Sequence, residues 1–112
     1  MTESLGPFQG IWDAWDEVDA DIKAQSLSHF VTVTEAQFVE LAEHLDEGDR
    51  ERAALEAIDI ISVSLTMLRW LNYVPEEIAG LARFRAATRM QGKARKIFGK
   101  YQKLPATGNE PS

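Results

Sequence analysis

Residues 40–59 read ELAEHLDEGDRERAALEAID, and the fold turns on them. Glu40 and Glu43 form one acid pair, Glu56 and Asp59 a second. Each pair is spaced i, i+3, so its two carboxylates lie on one side of a helix. Gly48 lies between the pairs and supplies a helix-ending left-handed residue, and a new helix starts after Asp49, which predicts a helical hairpin. At ~1.5 Å rise per residue, Glu43 and Glu40 lie ~7.5 and ~12 Å down one arm, Glu56 and Asp59 ~12 and ~16 Å down the other. The four carboxylates are thus nearly level across one turn. The second pair interrupts residues 53–73, which are apolar nearly all the way round. Carboxylates on a mostly buried helix are costly unless compensated, and a divalent cation is the natural compensation.

Outward from the hairpin the pattern stays helical. Residues 7–24 predict a first helix, with Pro7 at its first position and a stripe of Phe8, Ile11, Trp12, Trp15, Val18 and Ile22. Residues 26–32 read as a loop. Thr34 with Gln37 makes a capping box that starts the second helix, with Phe38, Leu41, Ala42 and Leu45 as its buried face. The third helix runs to about residue 72. Ile58, Ile61, Leu65 and Leu68 form one face; Val63, Met67 and Trp70 form another, on the side of Glu56 and Asp59. A helix apolar on two sides belongs inside a bundle or in a subunit interface. Val74-Pro75 breaks the chain, and residues 76–89 form a fourth helix with Ile78, Leu81, Ala82 and either Phe84 or Arg85 inward. Residues 91–104 are basic and carry Gly92 and Gly99, which predicts an arm with partial helix. No strand pattern or internal repeat is present. The fold class is all-α: four main helices, at least dimeric, because four short helices bury little.

The length of 112 residues suits one domain over residues 1–104, including a basic C-terminal arm over about 89–104. Residues 105–112 read as a disordered tail. Cysteine is absent, which excludes disulfides, thiol nucleophiles and thiolate metal sites. No leader pattern opens the chain. Only nine residues separate Asp59 from Arg69 in the longest apolar stretch, too few to span a bilayer, so the expected setting is cytoplasmic and away from membranes. The net charge of −6 hides an asymmetry: residues 1–68 hold fifteen acids against Lys23, Arg50 and Arg52, whereas residues 78–104 hold eight basic residues and no acid. Such an arm fits a ligand carrying phosphate and metal together, or it is a solvated helix end, or it pairs with the acidic body of a neighbouring subunit. The negative net charge argues against nucleic acid as partner.

The acid constellation contains only oxygen ligands, which favours Mg²⁺ or Mn²⁺ over zinc or copper. Two plainer readings stand beside it. Glu40 and Glu43 lie opposite the apolar stripe of their helix and are then simply solvated, and Arg52 precedes Glu56 by four residues, the spacing of an intrahelical ion pair. Trp12, Trp15 and Trp70 are base-stacking candidates or core residues. Arg89, Lys93, Lys96 and Lys100 are candidates for phosphates, or parts of a flexible arm. His44 reads as solvent-exposed. Ser62, Ser64 and Thr66 read as small packing residues whose hydroxyls bond back to the helix backbone. No phosphate-binding G-x-x-x-x-G-K-[ST] loop occurs.

The order E-x-x-E, twelve intervening residues, E-x-x-D resembles the signature of the MazG-like all-α nucleoside triphosphate pyrophosphohydrolases. The hydrophobic helix after it, the break before a fourth helix and the arm RMQGKARKIFGKYQK are also similar to short phage and bacterial members, so the resemblance covers about residues 33–103. It implies a four-helix MazG-like bundle assembled as a dimer or dimer of dimers. It also implies Mg²⁺-dependent splitting of a nucleoside triphosphate into monophosphate and pyrophosphate, a nucleotide-pool house-cleaning activity, with the metal on Glu40, Glu43, Glu56 and Asp59. Many members carry a second Glu directly before the first motif glutamate; here that position is Val39. Many also carry an Asn and a Lys in the fourth helix, where this chain has Arg83, Arg85, Ala87 and Arg89. The alternatives are a phosphoribosyl-ATP pyrophosphohydrolase-like enzyme and a non-catalytic helical interaction module.

Overall fold

The computed structural model describes residues 4–105, and all regular structure among them is helical. The expected tail, apart from Pro105, lies outside the described residues. The elements are α1 (Gln9–Ala14), α2 (Asp19–Lys23), α3 (Leu27–Asp46), α4 (Arg50–Trp70), α5 (Pro75–Arg85) and α6 (Ala94–Gln102). A 3-10 turn, Trp15–Val18, joins α1 to α2, and a π-helical turn, Ala86–Met90, extends α5. The chain divides into two compact units, Met1–Ile78 and Ala79–Ser112, with the boundary inside α5.

In the first unit α3 and α4 form the hairpin. Gly48 adopts φ +74°, a left-handed conformation that costs glycine nothing. Its N–H donates to the Leu45 carbonyl at 3.0 Å and the Asp49 N–H donates to the His44 carbonyl at 2.8 Å, the paired bonds of a Schellman end. Asp49 then caps α4, its side chain accepting from the Arg52 N–H at 2.9 Å. Asn72, at φ 71°, closes the far end of α4 by the same device. Glu77 reaches back to the Val74 N–H at 3.1 Å and starts α5.

Two boundaries differ from the sequence reading. The helix α3 begins at Leu27, so residues expected to be loop are helical, and Thr34 lies in its interior rather than at its start. Phe30 explains the difference. It is 2% exposed and packs with Ile22 and Val63, and that burial outweighs the weak helix preference of the β-branched run after it. The face of α3 is also rotated from expectation: Phe38 and Leu45 are exposed, and Phe30 and Val33 turn inward.

The expected continuous first helix is broken, and the break falls where Arg69 of α4 enters. The Arg69 side chain is buried. Its guanidinium lies 4.1 Å over the Trp12 ring, and Nη2 donates to the Trp12 carbonyl at 2.6 Å. Nη1 pairs with Asp16 and Asp19, each at 3.0 Å. A side chain that takes a carbonyl from a helix and gathers acids three residues apart forces the chain to tighten, here as the 3-10 turn between α1 and α2. Around this anchor lie two small cores: Trp12, Leu65 and Ile78, and Ile22, Phe30 and Val63.

Arg69→Met keeps apolar volume but removes the charged hydrogen bonds to the Trp12 carbonyl, Asp16 and Asp19, so denaturant unfolding should show a loss of about 2–3 kcal/mol. The Arg69 bond holds the Asp19 carboxyl below its ordinary range. A depressed folded pKa contributes stability that is present above the unfolded value of about 4 and is lost as pH falls through the folded value. The melting temperature should therefore drop as pH falls below about 4, and Asp19→Asn should flatten that drop.

Candidate functional site: an acid hairpin, a cavity and a basic groove

The turn at Gly48 sets which residues of α3 and α4 face each other. Residues equally far from Gly48 are level: Glu40 with Glu56, Gln37 with Asp59, and Glu43 with Ala53. The described geometry follows this register. Glu56 is the half-buried acid, its side chain 13% exposed, whereas Glu40, Glu43 and Asp59 are exposed. Burial raises the Glu56 pKa first, the Glu40 charge raises it next, and Asp59 adds a smaller push; the hydrogen bond from His44 opposes them. Glu43 is not among the charges that act on Glu56.

His44 differs from the sequence reading. It is half-buried, with Nε2 3.2 Å from Glu56 Oε2 and Nδ1 3.5 Å from Glu47. Arg52 does not pair with Glu56; its guanidinium turns back to Asp49 at 3.4 Å. The second carboxylate oxygen of Glu56, Oε1, is buried without a hydrogen-bond partner. An orphaned buried carboxylate oxygen on a residue that feels two further negative charges is the chemistry that a hard cation satisfies. Among the described residues, no three His, Asp or Glu side chains lie close enough as placed to form a metal-binding group. The expected convergence of Glu40, Glu43, Glu56 and Asp59 on one site is therefore not present among the described residues as placed.

Beside the acids, between α4, α3 and the N-terminal segment, is a cavity of about 280 Å³. Asp59 lines it together with Trp15, His29, Phe30, Gln37 and Ser62. Trp15 is 37% exposed and its indole N–H donates to Ser62 Oγ at 2.9 Å. Ser62 thus serves the tryptophan, while Ser64 and Thr66 bond back to the Ile60 and Val63 carbonyls as expected. Trp12 is corrected as a stacking candidate: it is buried in the core, with Arg69 over its ring. Trp70 is likewise committed, donating to the Gln25 carbonyl and packing on Phe30. Gln37 was read only as part of a capping box; its register with Asp59 across Gly48 is the signal that places it in the cavity.

The second unit carries a groove of about 420 Å³ lined by Arg85, Arg89, Lys93, Lys96 and Lys100, with Thr88 and Ile97. All four arm residues singled out from the sequence meet there, joined by Arg85. The π-helical turn shifts the register after α5, and Gly92, at φ +77°, lets the chain turn into α6. Lys93, the cap residue before α6, and Lys96 and Lys100 on the helix recur at spacings of three and four. Lys93 Nζ donates to the Thr88 carbonyl at 3.0 Å. No acid within residues 78–104 neutralises the groove.

A scan against protein-family models, a search of curated proteins and a search of solved structures each found no match.

The raised pKa means that ionised Glu56 costs the metal-free fold stability at neutral pH. Glu56→Gln keeps an acceptor for His44 and removes the charge. With a chelator present at pH 7, its melting temperature should equal or exceed that of the parent; a clear drop would assign Glu56 a structural ion pair with His44 instead.

Proposed function

We propose that this chain is a Mg²⁺-dependent nucleoside triphosphate pyrophosphohydrolase, acting in the upkeep of nucleotide pools. The observation that carries the reading is the buried, unpartnered Oε1 of Glu56, a carboxyl whose pKa is raised by burial and by the charges of Glu40 and Asp59, the last of which lines the cavity. Glu40, Glu43, Glu56 and Asp59 would hold the ion, in line with the E-x-x-E and E-x-x-D spacing that resembles the MazG-like family. When bound, Mg²⁺ (or Mn²⁺) supplies charge neutralisation of the phosphates and orients a water.

The chain's own residues divide the remaining work. His44 holds Glu56 through Oε2 and leaves Oε1 directed away from that bond. Asp59 links the acid cluster to the cavity, so a nucleotide with its phosphates at the acids has room for its base beside them. A triphosphate carries close to four negative charges, more than one divalent ion neutralises. The groove of Arg85, Arg89, Lys93, Lys96 and Lys100 in the second unit is a set of cations of the kind that phosphate oxygens call for. Water is consumed, the anhydride bond between the α- and β-phosphates breaks, and monophosphate and pyrophosphate leave.

Assembly as a homodimer or homotetramer is part of the proposal. Leu55, Ile58 and Ile61 on α4 and Phe38, Val39 and Leu45 on α3 are exposed, a large apolar area for so small a domain. No helix among the described residues is long and apolar enough to cross a membrane, and a cytoplasmic setting is part of the proposal. A non-catalytic interaction module is the second reading, and exposed Val39, where many MazG-like proteins carry an acid, favours it.

The test is pyrophosphate release from a panel of nucleoside triphosphates with and without Mg²⁺. Release should require the metal, and Glu56→Gln or Asp59→Asn should lower kcat/KM by about 100-fold or more. Full activity in either variant would remove that residue from the ligand set, and no release from any triphosphate would favour the module. Truncation after Met90 should raise KM by about tenfold or more through lost charged hydrogen bonds, with helix content of the remainder intact by circular dichroism. Unchanged kinetics would make the arm a bystander.

A further inference from the structure

We infer that the side of the α3–α4 hairpin facing away from its acids docks on the same side of a second copy, with the two α3 helices antiparallel. The inference rests on the assembly proposed above for its occupant and needs no metal, nucleotide or hydrolysis.

Leu27, Val31, Thr34, Phe38, Leu41 and Leu45 recur along α3 at steps of four, three, four, three and four. That is the spacing of a seam that packs along another helix. Yet Leu27, Val31, Phe38 and Leu45 are 59%, 49%, 55% and 56% exposed. The side of α3 that meets α4 is a different one, marked by Phe30, Val33 and His44, about a quarter turn away. On α4, Ala54, Ile58 and Ile61 are exposed on the same side of the hairpin as the seam. Glu40, Glu43, Glu56 and Asp59 point round the other side of the two helices.

Three observations select a second copy as the occupant. No position of this face is charged, so a chain of net charge −6 meets itself here without burying like charges. Read antiparallel, the seam also matches itself level for level: Leu27 falls opposite Leu45, Val31 opposite Leu41, and Thr34, its smallest member, opposite Phe38, its largest. A parallel copy would set Phe38 on Phe38 and bring the acid-rich turns at residues 46–51 together, whereas an antiparallel one keeps them ~30 Å apart, beyond the ~8–10 Å reach of charges in salt. Third, the face is ~27 Å long and ~20 Å wide, which its side-chain relief brings near the ~800 Å² a side of a standard interface. The acids and the cavity beside Asp59 then stay open in both copies.

The experiment measures the mass of the full chain by sedimentation equilibrium at micromolar concentrations. The parent should be at least a dimer. Phe38→Glu should raise the dissociation constant of the pair by about 100-fold or more, because it buries unpaired carboxylates. Its circular dichroism should be unchanged, since Phe38 is exposed in the single chain. Val39→Glu and Leu55→Glu, at exposed apolar positions off the seam, should leave the pair intact. The chain has no cysteine, so Val31→Cys and Leu41→Cys proteins can be oxidised separately and mixed. The mixture should form a disulfide-linked dimer that neither protein forms alone. A monomeric parent, a Phe38→Glu variant that associates like the parent, dissociation by Val39→Glu or Leu55→Glu instead, or linkage of Val31→Cys to itself would each overturn the inference. A dimer that releases no pyrophosphate from any triphosphate would leave this inference standing and end the hydrolase reading. Release by a monomeric parent would do the reverse.

Discussion

Arg69 is the group on which the first unit depends. It is a buried guanidinium at the apolar end of α4, and its two terminal nitrogens find partners only because three groups of the N-terminal segment come to them: the Trp12 carbonyl, Asp16 and Asp19; Nε has none. Removing a charge from water costs several kcal/mol unless such partners are supplied. The cost explains why the segment bends where it does. The bent segment also places Trp15 and Ile22 on α4 and so provides one wall of the cavity. Packing at one end of α4 thereby shapes a pocket nearer its middle, and the pocket adjoins the acids.

The second constraint is the Gly48 turn. A left-handed glycine with paired backbone bonds fixes the register of α3 on α4, and register decides which side chains meet. Glu40 meets Glu56 and Gln37 meets Asp59, while Glu43 faces the level of buried Ala53. The acids therefore form a graded arrangement: one half-buried carboxylate held by His44, two exposed neighbours that raise its pKa, and one farther out. Such an arrangement is electrostatically uncomfortable, and under the proposed function a cation would relieve it.

Much of this was legible in the residues. The hairpin followed from Gly48 and the acid spacing, the break at Val74-Pro75 from proline, and the all-helical class from apolar periodicity. The arm cations were legible as a set because they repeat at helical spacing without intervening acids. What escaped reading was tertiary. Phe30 draws residues 27–33 into helix by burial that local preference does not encode. Arg69 looked like an interruption in an apolar run and proved to be its anchor. His44 looked like a lone surface histidine until the hairpin brought Glu56 to it. Gln37 imitated a helix cap because Thr34 preceded it by three residues, although the helix had already begun. Each miss is a contact between residues far apart in the chain or a burial set by such contacts.

The charge asymmetry gives these features a common sense. Under the proposed function, the hairpin carboxylates answer to a divalent cation and the groove, with no acid in residues 78–104, answers to phosphate. The most direct measurement of that claim is paramagnetic broadening of the protein's NMR spectrum by substoichiometric Mn²⁺, reversed by excess Mg²⁺. Broadening centred on Glu40, Glu43, Glu56 and Asp59 is the predicted result. Broadening centred on other acids, or none at all, would contradict a metal site on the hairpin.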